Sequence, residues 1–175
     1  FSFAKELVGW IPGGLGHANI VASIIFAGMS GSAAADAGGL GTIEMEAMTK
    51  NGYRDNFSGA VTAASSVIGP IFPPSIPLII YGATASVSVA KLFMGGVLPG
   101  LLMGVALMVL VFIFAVKYRF ERHPFDIIAL IKQFFGSILS LITPLIILAG
   151  FTSGSFTPTE ASSIAVAYSL VIAVV

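Results

Sequence analysis

The sequence predicts an all-α integral membrane protein in which transmembrane helices are combined with a re-entrant hairpin and a broken helix. Of its 175 residues, 57% are hydrophobic and only 9% are charged, and the mean hydropathy is +1.01. A soluble domain carries roughly 25% charged residues. The 20 glycines and 9 prolines are many for so apolar a chain, and membrane helices tolerate both because packed neighbours satisfy a broken backbone. Composition therefore predicts a membrane protein, and glycine and proline predict interrupted helices.

Charge and side-chain chemistry exclude several functions. Eight basic residues balance eight acidic ones, so nothing indicates nucleic-acid binding. The chain has no cysteine, which excludes a disulfide framework, a thiol nucleophile and a cysteine metal site. His17 and His123 are isolated from other metal ligands in the sequence, so we expect neither catalysis nor a transition-metal site. The protein is not expected to be an enzyme.

The first membrane element is predicted to be a re-entrant helical hairpin over residues 19–52, after a preceding segment, residues 1–18. An apolar stretch too short to cross a membrane ends at Ser30-Gly31-Ser32, a small and polar apex. A second helical stretch follows Asp36 and ends at Asn51-Gly52, which is a helix-stop signal. A helix, a polar apex and a returning helix are typical of a re-entrant hairpin.

A broken transmembrane helix is predicted over residues 56–90. Its middle, GPIFPPSIP from Gly69 to Pro77, contains four prolines in nine residues. Each proline removes a backbone donor and disfavours α geometry in the residue before it. Apolar, uncharged sequence continues on both sides, so we expect the interruption to lie at membrane depth.

Two further transmembrane helices are predicted, over residues 92–116 and 133–155. The first contains the roughly 20 apolar residues that a helical span needs. The basic residues of the segment between them, 117–132, predict a cytoplasmic loop. Its apolar residues indicate either a helix that lies along the interface or a continuation of the next span.

Residues 156–175 are predicted to be the start of a further helix. Thr157 at the cap, Pro158 at the first helical position and Glu160 three residues after the cap form a capping box. Capping explains these residues without any chemistry. The last apolar run is still in progress where the sequence stops, and Phe1 is not an initiator methionine, so we expect a piece of a longer protein.

The two interruptions provide the candidate site. A broken helix persists in a membrane where it faces protein or a polar cavity, and its carbonyl oxygens can then bind a cation. Hydroxyl and carbonyl oxygens are the ligands that hard cations prefer. The alternative is that glycine and serine only permit close helix packing. The candidate sodium- and substrate-binding residues are Ser30, Gly31, Ser32, Asp36, Gly69, Pro70, Pro73, Pro74 and Ser75.

Among the acidic residues, Asp36 is the one expected at membrane depth, where ionisable groups are functional by default. Alternatively, it lies in the first turn of the returning helix and only complements the helix dipole. Glu44 and Glu46 are expected at the solvated end of the hairpin. Glu46 stands four residues before Lys50, which is the spacing of a helical ion pair.

Several long strings of the chain resemble one transporter family. They include AGMSGSAAADAGGLGTI, AVTAASSVIGPIFPPSIPLIIYG, SVSVAKLFMGGVLPGLLMG and SGSFTPTEA. Over nearly its whole length the chain closely resembles the large membrane subunit of tripartite ATP-independent periplasmic (TRAP) transporters, the DctM-like family. The resemblance implies a multi-pass importer of the bacterial inner membrane, with Na⁺ as coupling ion. It further implies a small membrane subunit (DctQ-like), a periplasmic substrate-binding protein (DctP-like) and an organic-anion substrate such as a C4-dicarboxylate, sialic acid or a keto acid.

The same resemblance implies an elevator-type transporter built from two inverted halves, each with a re-entrant hairpin and a broken helix. By this likeness, Ser30 to Asp36 is the first hairpin tip, Gly69 to Ser75 the first break, and Phe156 to Ala161 the start of the second half. The second hairpin and second broken helix would follow Val175. Two alternatives remain: a sodium/dicarboxylate-type carrier that needs no binding protein, and a channel or non-transporting scaffold subunit.

Overall fold

The computed structural model describes residues 1–120, 124, 126–152 and 158–174, and these ranges contain helices and irregular segments without a β-strand. The predicted all-α class is therefore confirmed for the part described. Thr157, the predicted cap of the last helix, lies outside these residues. The helices are α1 (Ser2–Val8), α2 (Gly14–Ser30), α3 (Ala33–Ala35), α4 (Gly41–Lys50), α5 (Asp55–Ser66), α6 (Ile76–Thr84), α7 (Val89–Tyr118), α8 (Ile127–Thr152) and α9 (Pro158–Val174), with a π-helical turn at Asp36–Leu40.

Helix α2 begins and ends next to glycines in the left-handed region. Gly13 precedes it with φ +80° and Gly31 follows it with φ +60°. Glycine adopts this conformation without a Cβ penalty. The N–H of Gly31 donates to the carbonyl of Ala27 at 3.2 Å, which closes the last turn. The chain then reverses through Gly31 and Ser32, which we call the hairpin turn.

The returning helix consists of α3, the π-helical turn and α4. Ser32 caps its start, because its hydroxyl accepts from the N–H of Ala35 at 3.3 Å. The N–H of Gly41 donates to the carbonyl of Asp36, five residues earlier, which defines the π-helical turn. Both the turn and α4 pack on α2. Residues 14–50 therefore form a helical hairpin, and we use that name for them below.

Helices α5 and α6 are separated by an irregular segment, residues 67–75, which we call the break. Ser75 ends it and caps α6 by accepting from the N–H of Leu78 at 3.2 Å. Pro77 lies in the first turn of α6, where a missing N–H is tolerated. The peptide bond between Pro73 and Pro74 is cis. Pro70, Pro73 and Pro74 thus lie between two short helices, and Pro77 lies in a first turn that needs no backbone donor.

Two of the described helices are long and apolar enough to cross a membrane, Val89–Tyr118 and Ile127–Gly150. The 30 residues of α7 correspond to about 45 Å at 1.5 Å per residue, which exceeds the roughly 30 Å of bilayer hydrocarbon. Helix α8 runs without interruption from Ile127. Residues 127–132 therefore belong to the same helix as residues 133–152.

The core that positions the hairpin lies between α2, α5 and α7. Ile20, Val61, Ile68 and Val111 are buried together there. On α7 a face of small residues permits the close approach, since a Cβ at Gly104 would collide with Ile24 of α2. The opposite faces of α7 expose large apolar side chains, as a lipid-facing helix does. These include Leu98, Leu102, Val105, Val109, Ile113 and Val116.

Candidate functional site

The hairpin turn contacts the break. Gly31 is buried, and a Cβ added to it would collide with the carbonyl oxygen of Pro74. The N–H of Ile76 donates to the carbonyl of Gly31 at 3.4 Å. The two interruptions that the sequence places 40 residues apart are therefore neighbours in space.

Gly69, at the other end of the break, also lies against the hairpin turn. A Cβ added to it would stand 3.4 Å from the carbonyl carbon of Ser32 and 3.5 Å from the nitrogen of Ala33. The break thus contacts the hairpin turn at both of its ends. Hydroxyl-bearing and carbonyl-bearing residues from both segments meet there.

The three candidate serines all take part in local hydrogen bonds. The hydroxyl of Ser30 accepts from the N–H of Ser32 at 3.4 Å, and Ser32 caps α3. Ser75 is fully buried, and its hydroxyl donates to the carbonyl of Pro70 while it accepts from Leu78. These contacts fix the directions of the oxygens. They also mean that each serine has a structural role beside any role in binding.

Proline frees two carbonyl groups in the break. In an α-helix the carbonyl of residue i accepts from the N–H of residue i+4, and proline has none. Because residues 73 and 77 are prolines, the carbonyls of Gly69 and Pro73 lack that donor. The carbonyl of Pro70 loses its donor to Pro74 in the same way, and the Ser75 hydroxyl replaces it. The carbonyls of Gly69 and Pro73 are therefore the candidate cation ligands of the break.

A cavity of about 460 Å³ opens beside this contact. Ser30 and Pro74 line one side, α6 contributes Ile76 and Ile79, and α8 contributes Thr143 and Ile147. Small-molecule sites are typically 300–1,000 Å³, mostly apolar, with a few polar groups that orient the ligand. The cavity is therefore large enough for a small organic ligand and brings Ser30 to its surface.

Asp36 lies in the π-helical turn and is directed toward α2. Its side chain is 2% exposed. Its Oδ1 has no hydrogen-bond partner among the residues that the structure describes. Asp36 is therefore buried in the hairpin, one helical turn beyond the hairpin turn itself.

A buried polar network beside Asp36 was not predicted from the sequence. Asn19 donates to the Thr62 hydroxyl at 2.8 Å and accepts from Ser65 at 2.7 Å. Ser23 donates to Ser65 at 3.1 Å. The signal for it in the sequence is the spacing of Ser58, Thr62 and Ser65, which places three hydroxyls on one face of α5.

The two glutamates of α4 differ from each other, although both were expected to be solvated. Glu46 is exposed and pairs with Lys50 at 2.6 Å, so the predicted ion pair is confirmed. The hydrogen bond from Lys50 holds the pKa of Glu46 below its ordinary value. For Glu44 the expectation is wrong, because its side chain is 0% exposed. Helix α4 packs on α2 and α5, so the burial of Glu44 is a consequence of packing and not of composition.

The described residues contain no group of three or more histidine, aspartate or glutamate side chains that could hold a metal ion. The oxygen atoms at the hairpin turn and the break are hydroxyls and carbonyls. Two long apolar helices are typical of a membrane protein, and the hairpin turn and the break meet beside a cavity, an arrangement that secondary transporters use.

Comparison with known proteins assigns the chain within that class. The family model described as "Tripartite ATP-independent periplasmic transporter, DctM component" matches residues 1–175. The chain belongs to this family of large permease subunits, as the resemblance of its sequence implied. Members of the family are transporter permeases and not enzymes, which confirms the corresponding expectation.

Several curated relatives are similar over almost the whole chain. The sialic acid TRAP transporter large permease protein SiaM of Vibrio cholerae is 49% identical over 174 residues, which is 97% of this chain and 40% of the relative. The sialic acid permease SiaT of Haemophilus influenzae is 50% identical over 98% of this chain and 28% of the relative. The C4-dicarboxylate permease DctM of Vibrio cholerae is 39% identical over 98% of this chain and 38% of the relative. The chain thus spans between about a quarter and two fifths of their length.

Proposed function

We propose that this chain is part of the large permease subunit of a sodium-coupled importer of organic anions in the bacterial inner membrane. The contact between the hairpin turn and the break is the observation that carries the proposal. Two interrupted elements meet there, with Gly31 against Pro74 and Gly69 against Ser32. Interrupted helices that face each other at membrane depth are a recurrent way to build ion and substrate sites in secondary transporters.

Sodium is the proposed coupling ion because of the oxygen atoms available at this contact. The candidate ligands are the hydroxyls of Ser30 and Ser32 and the carbonyls of Gly69 and Pro73, which are hard, uncharged oxygen donors suited to an alkali cation. Ser75 supports the site by capping α6 and bonding Pro70. In this proposal the helical hairpin is re-entrant, so its turn lies within the membrane.

Sialic acid is the first candidate among the organic anions. The two relatives named as sialic acid permeases are 49% and 50% identical to this chain over the aligned residues. For two C4-dicarboxylate permeases the identity is 39% and 38%. The cavity beside Ser30 provides space of about 460 Å³. Its lining of Ser30, Thr143, Ser169 and apolar side chains suits a polar anion held by few groups.

The proposed partners are a small membrane subunit and a periplasmic substrate-binding protein. The family description, a tripartite and periplasmic transporter, supports an assembly of three components. The proposed transport movement is of the elevator type, in which the helical hairpin and the broken helix carry the substrate through a fixed scaffold. Neither ATP nor another energy source is required if the sodium gradient drives uptake.

Uptake by proteoliposomes tests the proposal. The complete permease that contains this chain is reconstituted with its small subunit, and labelled sialic acid is supplied with the cognate binding protein under an inward sodium gradient. We expect uptake only when the gradient and the binding protein are both present. Uptake without the binding protein would instead indicate an independent carrier.

A C4-dicarboxylate given in the same experiment tests the substrate. Preference for the dicarboxylate would overturn the choice of sialic acid and leave sodium coupling intact. Equal uptake with and without the sodium gradient would overturn the coupling. Passive, ungated flux of the anion would indicate a channel.

A further inference from the structure

A further pocket lies where the start of α5 meets the end of α7. Its wall is a cluster of aromatic rings, in which the ring centre of Phe57 stands 5.9 Å from that of Phe114 and 5.2 Å from that of Phe120. Phe114 in turn stacks with Tyr118 at 6.1 Å, with an angle of 5° between the ring planes. We call it the aromatic pocket. These four aromatic residues line it together with Arg54 and Asn56.

The aromatic pocket is separate from the proposed sodium and substrate site. Its volume is about 240 Å³, and it shares no lining residue with the cavity beside Ser30. It is also smaller than a typical small-molecule site, which has roughly 300–1,000 Å³. It therefore suits one polar group of a larger ligand, the apolar part of which lies outside the pocket.

The charges around the aromatic pocket are mostly positive. Arg54 is exposed, and its guanidinium group forms no ion pair within the part of the chain that the structure describes. The ammonium group of Lys117 lies 5.7 Å from the ring centre of Tyr118, and Arg119 follows. Asp55, next to Arg54 in the sequence, does not line the pocket. The pocket therefore suits an anion, and a guanidinium group is well matched to the oxygens of a phosphate.

The aromatic pocket lies at one end of a predicted transmembrane helix. Basic residues predict that this end of α7 is cytoplasmic, and aromatic rings are frequent at the level of the lipid headgroups. Ile113 and Val116, which precede Tyr118 on α7, are exposed and offer apolar surface to acyl chains. Basic pockets between membrane helices on the cytoplasmic side are sites for anionic lipid headgroups.

From these charges and this position we propose that the aromatic pocket binds the phosphate group of an anionic phospholipid of the cytoplasmic leaflet. Arg54 and the side-chain amide of Asn56 donate hydrogen bonds to the phosphate oxygens, and Lys117 adds a second positive charge. The rings of Phe114 and Tyr118 contact the glycerol group. The acyl chains lie along the exposed face of α7, so the bound lipid joins the start of α5 to the end of α7.

Photo-crosslinking of the wild-type protein tests this proposal. The complete permease is reconstituted in vesicles with a phosphatidylglycerol analogue that carries a diazirine in its headgroup, and the labelled peptides are mapped. We expect labels in residues 53–57 and 114–120, which unlabelled phosphatidylglycerol displaces and the zwitterionic phosphatidylethanolamine displaces less well. Absence of labels from both segments would overturn the site, and equal displacement by the two lipids would overturn the preference for an anionic headgroup.

A pair of variants tests the role of Arg54. Arg54→Gln should lower the affinity of the mapped site for phosphatidylglycerol by about tenfold or more, as expected for a lost hydrogen bond to a charged group. Lys50→Gln is the matched control, because it removes one positive charge from the nearby end of α4, where Lys50 pairs with Glu46, and leaves the pocket lining intact. Equal loss of affinity in both variants would indicate general surface charge and overturn the role of Arg54.

Soluble glycerol phosphate distinguishes a lipid from a free phosphate compound. We expect it not to displace the crosslinking lipid at concentrations at which phosphatidylglycerol does, because it lacks the acyl chains that contact α7. Displacement by both at the same concentration would overturn the assignment to a lipid. No uptake is measured, so each of these results is independent of the sodium-coupled function.

Discussion

Gly31 is a residue of the helical hairpin at which a side chain would be both strained and crowded. Its φ of +60° is in the left-handed region, and a Cβ would collide with the Pro74 carbonyl oxygen. Gly31→Ala should therefore lower the free energy of unfolding by at least about 1–3 kcal/mol, the usual cost of a strained backbone position. The measurement is thermal unfolding of the permease in detergent.

Gly38→Ala is the control for this prediction. Gly38 lies in the π-helical turn with open space around its Cα, since no atom stands within 4 Å of an added Cβ. We expect the free energy of unfolding to change by no more than about 1 kcal/mol, in the favourable direction. Equal loss of stability in both variants would show that the contact with Pro74 is not the cause.

The serines of the hairpin turn allow a test of sodium binding at the residue scale. Replacing Ser30 or Ser32 by Ala removes one candidate sodium ligand. The sodium concentration for half-maximal uptake should therefore rise about threefold to tenfold, because the lost binding free energy is about that of one hydrogen bond. Because Ser32 also caps α3, stability is measured on the same preparation. An unchanged sodium dependence in a normally expressed variant would contradict the prediction.

Ser88→Ala is the matched control. Ser88 caps α7 by accepting from the N–H of Lys91 at 3.4 Å and is exposed. Loss of this cap should lower stability by about 1 kcal/mol and leave the sodium dependence unchanged. The comparison separates loss of a cap from loss of a ligand.

Asp36→Asn tests whether the charge of Asp36 matters for transport. The variant keeps the size of the side chain, so folding should be retained. We expect sodium-driven uptake to fall by at least about tenfold, the factor that corresponds to 1.4 kcal/mol. Uptake equal to that of the wild type would mean that the side chain only complements the returning helix.

At the scale of single residues, the sequence predicts where helices are interrupted better than it predicts which side chains are buried. Gly31 and Ser75 were predicted as parts of interruptions because glycine and proline act on the local backbone. Glu44 was expected in solvent, since its neighbours Glu46 and Lys50 are charged. Its burial depends on which face of α4 packs on α2 and α5, and that choice is made by contacts between residues distant in sequence.

The break is the element whose geometry carries the proposed function. Replacing both Pro73 and Pro74 by Ala restores two backbone donors, and each interior proline is unfavourable by about 3 kcal/mol relative to alanine in a helix. The double variant should therefore become more helical there without loss of stability. Carbonyls of the break would then be withdrawn into helical hydrogen bonds, so sodium-driven uptake should collapse.

Pro99→Ala is the control for the double variant. Pro99 lies inside α7 and is exposed, so its replacement repairs a helix away from the break. We expect uptake and thermal stability close to those of the wild type. Full uptake by a stable Pro73→Ala/Pro74→Ala variant would refute the role of the break, whatever the control does.

Some helices and interruptions could be predicted from the sequence, and others could not. Helix α7 follows from a long apolar run, and the interruption between α5 and α6 follows from the prolines. The π-helical turn at Asp36–Leu40 has no such local signal in the sequence. Gly41, which follows it, lies against Thr62 of α5, a contact between residues distant in sequence. The start of α8 at Ile127 was left open between two interpretations, since apolar residues suit both an interfacial helix and a span.

Across the whole molecule, the distribution of basic residues predicts how the chain lies in the membrane. Lys117 and Arg119 stand at the end of α7, and basic residues favour the cytoplasmic side. The chain has no cysteine, so a cysteine introduced into it is the only reactive thiol in a complete permease whose other cysteines are replaced. Tyr118→Cys should be labelled by an impermeant maleimide from the cytoplasmic side, and Lys91→Cys, at the other end of α7, from the periplasmic side.

Labelling of both positions from the same side would contradict a crossing by α7. Reversed labelling would contradict the orientation and leave the crossing intact. The two cysteines are separated by 27 positions of one helix, or about 40 Å at 1.5 Å per residue. A reagent that crosses the membrane slowly would therefore label the cysteine on the side of addition faster than the other cysteine. Uptake by each variant is measured to ensure that the labelled protein is native.

The hydrogen bond from Ile76 to Gly31, together with the fit of Gly31 against Pro74, has a mechanical consequence. A displacement of the hairpin turn that left α6 behind would break this bond and open the packed contact. The hairpin and the start of α6 should therefore move together as one rigid body during transport. A covalent crosslink between cysteines at positions 33 and 69 should then leave the rate of uptake unchanged. A crosslink from this rigid body to a helix that does not move should abolish uptake.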